Sequence, residues 1–331
     1  MPPVPSRVRM AVDEALEDLV KRREVAVPLA VARGSHAWDG AGPDSDYDVG
    51  FVFVPTDLRR YAHLEGPEET IVAERDEIEL QGLEVRRFAE LLADSNESAL
   101  ALCRSPIRYR DAFDPADLRA YLERTYNPID LYHDWRSIAA SNYRKYLSEH
   151  LVRDGETYPI EEVRGPEDGP TTYVVRDGDE QRTISADDDR YAETATRPTV
   201  KRNLTICRAA MYARYLRATG ECAEDDHDHD HDHDPDHDLP ALSFETFLRE
   251  QAPAVFDPER IERARALLER KRAGDGDAKV GDRVGREFAY PPREIDPNVH
   301  VRPGPEPARL DAFVDGMIDA ARARRGDGRG R

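Results

Sequence analysis

The chain has 331 residues, which is enough for two domains and a sizeable hydrophobic core. It carries 68 acidic residues against 48 Lys and Arg, a formal net charge of -20, and only five of its basic residues are lysine. An acidic, lysine-poor and arginine-rich surface keeps a protein soluble at high salt, so we interpret it as a halophilic adaptation. The acidity does not exclude a nucleic-acid partner, although high salt weakens contacts with phosphates.

The sequence predicts neither secretion nor a membrane span. It has no run of about 18 or more apolar residues, and the segment before Arg7 lacks the apolar stretch of a signal peptide. The three cysteines (Cys103, Cys207 and Cys222) are widely spaced and odd in number. Such cysteines indicate free thiols in a reducing compartment, so we expect a cytoplasmic protein.

The N-terminal third predicts an α+β unit. Apolar residues at helical spacing predict a helix over 8–21, and the apolar run Val25–Ala32 predicts a buried strand. Pro28 cannot donate a hydrogen bond to a neighbouring strand, so regular pairing is expected from Leu29 onward. Three further strands and a helix are expected at 47–54, 70–73, 77–85 and 86–93. Together these elements predict a mixed sheet with helices on one face.

Beyond residue 114 the pattern becomes helical. Apolar residues three and four apart predict helices at 118–126, 129–151, 198–218, 243–251, 258–271 and 307–324. The polar stretch 153–193 contains Asp177-Gly178 between β-formers, which predicts a hairpin inserted between two helices. We therefore predict a first domain over 1–113 and a helical domain over 114–275, with insertions at 153–193 and 221–238. A linker and a C-terminal helix occupy 276–331.

Residues with catalytic potential surround the first two predicted strands. The first strand ends in Gly34-Ser35, where backbone N–H groups and a hydroxyl can surround phosphate oxygens. Asp46 and Asp48 open the second strand, and the period of two places both carboxylates on the face that points at this turn. Two adjacent carboxylates repel each other unless a divalent cation neutralises them, and Mg²⁺ together with substrate phosphates suits such oxygen ligands best.

A third carboxylate on a neighbouring strand would complete a site for two metal ions roughly 3.5–4 Å apart. Glu77 and Glu79 share one face of the strand expected there, and the sequence leaves open which of them serves. Gly-Ser alone, or Asp-x-Asp alone, arises by chance in so acidic a chain. The combination of strand, Gly-Ser, short gap, Asp-x-Asp and acidic strand favours a catalytic site.

These motifs resemble the signature of a family of nucleotidyltransferases. The stretch 34–38 (Gly-Ser-His-Ala-Trp), followed by 43–49 (Pro-Asp-Ser-Asp-Tyr-Asp-Val), resembles the RlaP-like or YcgL-like members of the DNA polymerase β superfamily, which are linked to RNA repair. Weaker matches lie at 79–88, 95–98, 105–107 and 200–208. The resemblance covers residues 25–110 well and 128–272 loosely.

The resemblance implies a nucleotidyltransferase domain over 1–113, with the helical domain as the other wall of its cleft. It implies that Gly34, Ser35 and Ser45 bind the phosphates of a nucleotide. Asp46 and Asp48 would then hold Mg²⁺, or alternatively Mn²⁺, as catalytic carboxylates.

The resemblance also assigns the third carboxylate and two basic residues. Glu79, one methylene longer than the aspartate usual in the family, would activate the acceptor hydroxyl. Lys201 and Arg208 share a helix face and would bind triphosphate, with salt bridging as the alternative interpretation. Arg144 and Lys145 carry the same two interpretations.

The implied reaction transfers a nucleoside monophosphate from an NTP such as ATP to an acceptor hydroxyl and releases pyrophosphate. Family analogy favours an RNA end as the acceptor. A protein side chain (AMPylation) and a small molecule such as an aminoglycoside remain alternatives, and so does a catalytically silent nucleotide- or RNA-binding module. The His-Asp tract at 227–237 predicts a solvated loop, with loose binding of Zn²⁺ or Ni²⁺ as the rival interpretation. The sequence leaves the base of the NTP and the oligomeric state open.

Overall fold

The first part of the chain folds around a five-stranded mixed sheet. The computed structural model describes residues 4–75, 77–164, 171–178, 180–194, 197–221, 238–298, 300 and 302–327. The strands are β1 (Val25–Ala32), β2 (Tyr47–Pro55), β3 (Thr70–Arg75), β4 (Ile78–Glu84) and β5 (Arg108–Asp111). Their order is β3-β4-β2-β1-β5, and only the β2–β4 pair is parallel.

Helices cover both faces of this sheet, whereas the sequence predicted helices on one face. Helix α1 (Ser6–Arg23) packs its apolar side against the face that carries Val49, Phe51 and Phe53. Helices α3 (Val85–Ala93) and α4 (Glu97–Arg104) pack against the opposite face. The reason lies in β2, whose residues from Val49 to Pro55 are all buried, because apolar side chains alternate between two covered faces.

Pro28 interrupts β1 without ending it. Pairing with β2 already begins at Val25, and a bulge between Ala26 and Leu29 accommodates the proline. Pairing with β5 begins at Leu29, as the sequence predicts for regular pairing. The Pro28 carbonyl accepts a hydrogen bond of 3.0 Å from the Phe113 amide. The prediction was therefore correct for one neighbour of β1 and wrong for the other.

Helices form most of the rest of the described structure. They are α5 (Ala116–Thr125), α6 (Pro128–Tyr146), α7 (Val200–Glu221), α9 (Pro258–Arg272) and α11 (Pro307–Asp327), with short turns α2 (Gly34–Ala37), α8 (Phe244–Thr246) and α10 (Arg286–Ala289). Helix α8 continues into a π-helical turn, Phe247–Gln251, within the helix predicted at 243–251. One apolar cluster runs from the α3 face of the sheet through α5, α6, α7 and α9, and α11 returns to pack on α3 and β1. The expected α+β class, a mixed sheet followed by helices, is confirmed.

A second sheet replaces the predicted hairpin. Its strands are β6 (His150–Arg153), β7 (Glu156–Arg164), β8 (Thr172–Asp177), β9 (Glu180–Ser185) and β10 (Ala192–Thr194). They are antiparallel in the order β10-β6-β7-β8-β9, and the predicted hairpin is the β8–β9 pair. Helix α6 ends at Tyr146, so its predicted extension to 151 was wrong. Leu147 and Leu151 fit both a helical and a strand pattern, and pairing of Leu151 with Tyr158 on β7 decides for the strand.

The structure bears on two expectations from the sequence, namely that the cysteines are free thiols and that no segment spans a membrane. Cys103 and Cys207 are free and buried, and burial raises the pKa of both thiols to about 12. Cys222 and the His-Asp tract at 227–237 lie outside the described residues. In the described ranges, no helix has the length and apolar character that crossing a membrane requires.

Candidate active site

A row of carboxylates crosses one face of the first sheet. Asp48 on β2 lies beside Glu79 on β4 in the parallel register, and Glu79 lies beside Glu74 on β3. The Tyr47 amide donates a 3.0 Å hydrogen bond to the Glu77 carbonyl, which fixes this register at the start of β2. The partner of Asp48 is therefore Glu79 and not Glu77. Glu74 was not predicted, because local sequence patterns do not show which strands pair.

Asp48 lies directly beneath the Gly34 turn. Gly34 has a φ of 55°, and a Cβ added to it would lie 1.7 Å from the Asp48 Oδ2 atom. The Arg33 amide donates a 2.7 Å hydrogen bond to the Asp48 carbonyl, which ties the end of β1 to the start of β2. Only glycine combines this backbone conformation with so close an approach. The hydroxyl of Ser35, the next residue, makes no hydrogen bond within the described structure.

The surroundings of Asp48 disfavour its charge. Burial raises the pKa of Asp48, and the negative charges of Glu79 and Asp46 raise it further. The positive charges of Arg33 and Lys201 oppose this shift. Asp46 and Glu79 are both exposed, so the half-buried Asp48 is the carboxylate on which the repulsion acts most strongly. A cation placed between these groups would relieve that repulsion.

Two lysines face the carboxylates from the helical part of the chain. Lys271, near the end of α9, donates a 2.6 Å hydrogen bond from its Nζ to the Ser45 Oγ, which also accepts a 2.9 Å bond from the Gly42 amide. Burial lowers the pKa of Lys271, the charge of Lys201 lowers it further, and nearby acids including Asp46 oppose the shift. Ser45 thus supports the loop and positions a lysine within the electrostatic reach of the site.

Lysine at this place is informative because the chain contains only five lysines against 43 arginines. Ion pairs and ring contacts within the described residues mostly use arginine, with Lys21 and Lys145 as exceptions. Lysine differs by carrying a compact point charge on a flexible stem, which suits phosphate oxygens. The sequence analysis identified Lys201 but missed Lys271. The rarity of lysine was the one signal that could have identified it.

The end of α9 holds the loop at 39–45 in place. Arg272 donates a 2.9 Å hydrogen bond to the Asp39 carbonyl and forms ion pairs of 2.8 Å with the Asp39 and Glu245 carboxylates. A Cβ on Gly42 would lie 2.3 Å from the Lys271 carbonyl oxygen, so loop and helix end are in close contact. The candidate site therefore combines segments more than 200 residues apart in sequence, since Lys271 and Ser45 are 226 residues apart.

Arg208 is separated from Lys201 despite their shared helix face. Its guanidinium is buried between the rings of Trp38, Trp135 and Tyr212, with its carbon 4.8, 4.9 and 5.5 Å from the three ring centroids. Such stacking is a cation–π arrangement. Because Trp38 is buried and directly follows α2, Arg208 supports the Gly34-Ser35 turn from behind.

His36 packs within the same loop. Its ring stacks on Tyr47 with centroids 4.5 Å apart, and its Nε2 is buried with no hydrogen-bond partner in the described structure. Burial lowers the pKa of His36, and the charge of Lys271 contributes to the same shift. The imidazole is therefore neutral at pH 7 and acts as a packing group beside β2.

The chemistry of these ligands suits a hard divalent cation. Among the residues that the structure describes, no three or more His, Cys, Asp or Glu side chains are arranged to hold a metal ion by themselves. Mg²⁺ is usually held by one or two carboxylates together with substrate phosphates and water. Asp46 and Asp48 offer those carboxylates, and burial together with the charges of Glu79 and Asp46 raises the pKa of Asp48.

Comparison with known proteins identifies the family. Residues 8–230, more than half of the chain, match the RNA repair pathway DNA polymerase beta family, RlaP, and the chain belongs to this family. It is also similar to the uncharacterized protein YcgL of Bacillus subtilis (strain 168), with 32% identity over 143 residues. That match covers 41% of this chain and 54% of YcgL, so the chain spans about half the length of this relative. Membership in a polymerase β family indicates a nucleotidyltransferase.

The contact between Gly34 and Asp48 generates a prediction on stability. Gly34→Ala should lower the free energy of unfolding, measured by urea denaturation, by about 1–3 kcal/mol more than Gly155→Ala. Gly155 is the matched control because it also has a positive φ, 83°, yet a Cβ there would meet nothing within 4 Å. Gly155→Ala therefore has the strain of a positive φ but not the steric clash that Gly34→Ala has with Asp48. Equal losses in the two variants would show that Asp48 does not lie against Gly34.

Proposed function

We propose that this protein is a Mg²⁺-dependent nucleotidyltransferase that transfers a nucleoside monophosphate from an NTP to the hydroxyl of an RNA end. The observation that carries the proposal is the pairing of Asp48 with Glu79 beneath the Gly34 turn, opposite Lys201 and Lys271. Acidic residues for a metal and basic residues for a triphosphate meet at one cleft, as phosphoryl transfer requires.

Each group in the cleft has a distinct task in this proposal. The backbone of Gly34 and the free hydroxyl of Ser35 bind phosphate oxygens of the NTP. Lys201 and Lys271 neutralise the triphosphate and the departing pyrophosphate. Glu79, which is exposed beside Asp48, accepts the proton of the attacking hydroxyl.

Asp46 and Asp48 would hold Mg²⁺, which supplies Lewis-acid stabilisation of the charge at the reacting phosphate. Mn²⁺ prefers the same oxygen ligands and is the natural substitute. Ser45 positions Lys271, and it retains a hydroxyl proton that it can donate to a phosphate. Arg208 takes no part in binding triphosphate in this proposal, because its guanidinium is enclosed by three aromatic rings.

Family membership supports RNA as the acceptor, and a direct assay tests it. The purified protein is incubated with α-³²P-labelled ATP, CTP, GTP or UTP in cell extract, and label is followed into RNA, protein and small molecules. Transfer into RNA supports the proposal and identifies the NTP. Label in protein or in a small molecule would show that the acceptor is that molecule and not RNA. Nucleotide binding without any transfer would identify a catalytically silent module.

Electrostatic repulsion at Asp48 generates the second prediction. Asp48→Asn should melt at or above the wild-type temperature without metal, because the pKa of Asp48 is raised and its ionisation therefore destabilises the fold. The free energy of unfolding of the wild type should fall as pH rises through that raised pKa. The variant should not show this decrease, because asparagine does not ionise. Thermal melting at fixed high salt, with and without Mg²⁺-ATP, should show that the variant also loses the ligand-induced stabilisation and the activity.

Asp44→Asn is the control for this prediction. Asp44 is an exposed carboxylate in the loop at 39–45 that precedes β2. It lies outside the row of carboxylates on the sheet face. This control should respond to Mg²⁺-ATP as the wild type does. If Asp48→Asn responds to metal and to every nucleotide as the control does, the carboxylates do not form the proposed site.

The third prediction concerns the lysine that reaches the cleft from α9. Lys271→Met removes an ammonium group whose pKa is lowered by burial, which means that its charge does not stabilise the fold. The variant should therefore keep the wild-type free energy of unfolding without ligand. It should lose at least about tenfold in affinity for Mg²⁺-ATP, because one charge-assisted phosphate contact contributes roughly 1.5–3 kcal/mol. Lys21→Met is the matched control, since Lys21 is exposed on α1 and pairs with Glu17 at 3.7 Å. Equal nucleotide affinities of the two variants, measured by calorimetry, would exclude Lys271 from the site.

A further inference from the structure

Three neighbouring cavities surround the segment 282–293 on the side of the molecule where the second sheet meets α6 and α10. Their volumes are about 850, 470 and 600 Å³. The first and third share Arg144, Tyr290 and Arg293, and the first and second share Arg286 and Glu287. None of the three is lined by the carboxylates or lysines of the candidate active site. They therefore form one connected concave surface outside it.

This surface is strongly basic in an acidic protein. It is lined by nine arginines and two acids, in a chain whose net charge is -20. The nine, which we call the arginine band, are Arg136, Arg144, Arg176, Arg214, Arg260, Arg263, Arg283, Arg286 and Arg293. A local excess of positive charge on a negative molecule attracts polyanions to this surface and repels them elsewhere.

Carboxylates of the protein neutralise only part of the band. Within the described residues, Arg176 and Arg286 share Glu161, at 2.7 and 3.3 Å, and Arg263 pairs with Glu259 at 2.9 Å.

Arg136, Arg214, Arg260 and Arg283 donate instead to backbone carbonyls, which bear no net charge. Arg144 and Arg293 are exposed and have neither an ion pair nor a side-chain hydrogen bond to any residue that the structure describes. The band thus retains guanidinium groups that are free to bind an external anion.

An aromatic side chain lies among these charges. Tyr290 is partly exposed, lines both the first and the third cavity, and packs edge-on against Tyr143 at 5.7 Å. The Tyr143 hydroxyl donates a 2.8 Å hydrogen bond to Asp282, which helps to fix the segment that carries Tyr290. Guanidinium groups beside a held aromatic ring are the combination that binds single-stranded nucleic acid, through the phosphates and by stacking of a base.

The band leads toward the candidate active site along α6. Arg144 lies two residues before Tyr146, the last residue of α6, and the Arg202 guanidinium covers the Tyr146 ring at 3.7 Å. Arg202 is adjacent to Lys201, whose charge acts on Asp48. The end of α6 next to Arg144 is therefore in contact with the first turn of α7, which carries Lys201.

We propose that the arginine band binds the phosphodiester backbone of a single-stranded RNA acceptor, with Tyr290 stacking against one of its bases. This inference rests on the proposed function in one respect, namely that the acceptor is RNA. An acidic polypeptide would satisfy the guanidinium groups but would leave the ring of Tyr290 without a base to stack on. The observations therefore favour RNA over an acidic protein partner.

A double charge reversal tests the proposal. Arg144→Glu/Arg293→Glu is compared with Arg7→Glu/Arg22→Glu, a pair on α1 that is equally exposed and changes the net charge by the same amount. Binding of a fluorescein-labelled single-stranded RNA of about 20 nucleotides is measured by anisotropy at several salt concentrations that leave the melting temperature unchanged. Each lost phosphate contact lowers the salt slope by about 0.7, so the band variant should bind at least about tenfold more weakly with a slope reduced by one or more. The control should stay within about twofold of the wild type.

Two further measurements make the outcome unambiguous. Arg144→Gln/Arg293→Gln removes the two positive charges without introducing negative ones. It should also weaken RNA binding, but by less than the charge reversal does. Tyr290→Leu should weaken RNA binding at unchanged salt slope, because stacking carries no charge. Equal RNA affinity of the band variant and the α1 control would overturn the proposal. Displacement of RNA by poly-glutamate at equal charge concentration would also overturn it in favour of an acidic protein partner.

The proposed function can fail separately from this inference. Stabilisation by Mg²⁺-ATP reports on the active site and should be unchanged in the band variants. If the wild type binds RNA through the band yet transfers no nucleotide to it, the band stands and the proposed function falls. If wild type and band variants label RNA ends equally well and bind RNA equally, the function stands and the band is excluded.

Discussion

The close approach of the Asp48 carboxylate to the backbone of Gly34 is the constraint on which the site depends. It requires a residue without a side chain at position 34, two residues after β1 ends, and it requires the start of β2 to lie beside that residue. The register of β2 with β4 then places Glu79 next to Asp48, because parallel strands bring residues of one face side by side. A shift of β4 by one residue would turn Glu79 to the face covered by α1. Local backbone geometry at one glycine and the strand register therefore determine where Asp48 and Glu79 lie side by side.

The negative charges of Asp46, Asp48 and Glu79 repel one another. Positive charges from other segments of the chain partly offset this repulsion. The opposing charges come from Arg33 at the end of β1, from Lys201 at the start of α7 and from Lys271 on α9. Both helices pack into the same apolar cluster as the α3 face of the sheet. Because protein interiors are close-packed, this shared core fixes the distance between the acidic and basic walls of the cleft. The positions of these charged groups are thus set by packing, and their charges are only partly balanced within the site.

The sequence predicted those features that depend on neighbours along the chain. The Gly-Ser turn and Asp46-x-Asp48 could be placed because a strand has a period of two and a turn favours glycine. The choice of Glu79 over Glu77 could not be made, because it depends on which residue of β4 lies beside Asp48. Lys271 was missed for the same reason, since its partner Ser45 is 226 residues away. The second sheet was reduced to one hairpin because the pairing of its remaining strands leaves no signature in local composition.

Arg208 and Lys201 show that two residues on one helix face can have very different surroundings. It lies seven residues after Lys201, and seven residues are close to two helical turns, so the two were expected to act together on triphosphate. Instead, three aromatic rings enclose Arg208 while Lys201 stays exposed. The residue types agree with this difference: a planar, weakly hydrated guanidinium stacks well on rings, whereas an ammonium group remains mobile in water. The charges of Lys201 and Lys271 therefore interact with the carboxylates of Asp48 and Asp46, whereas the charge of Arg208 is enclosed by aromatic rings.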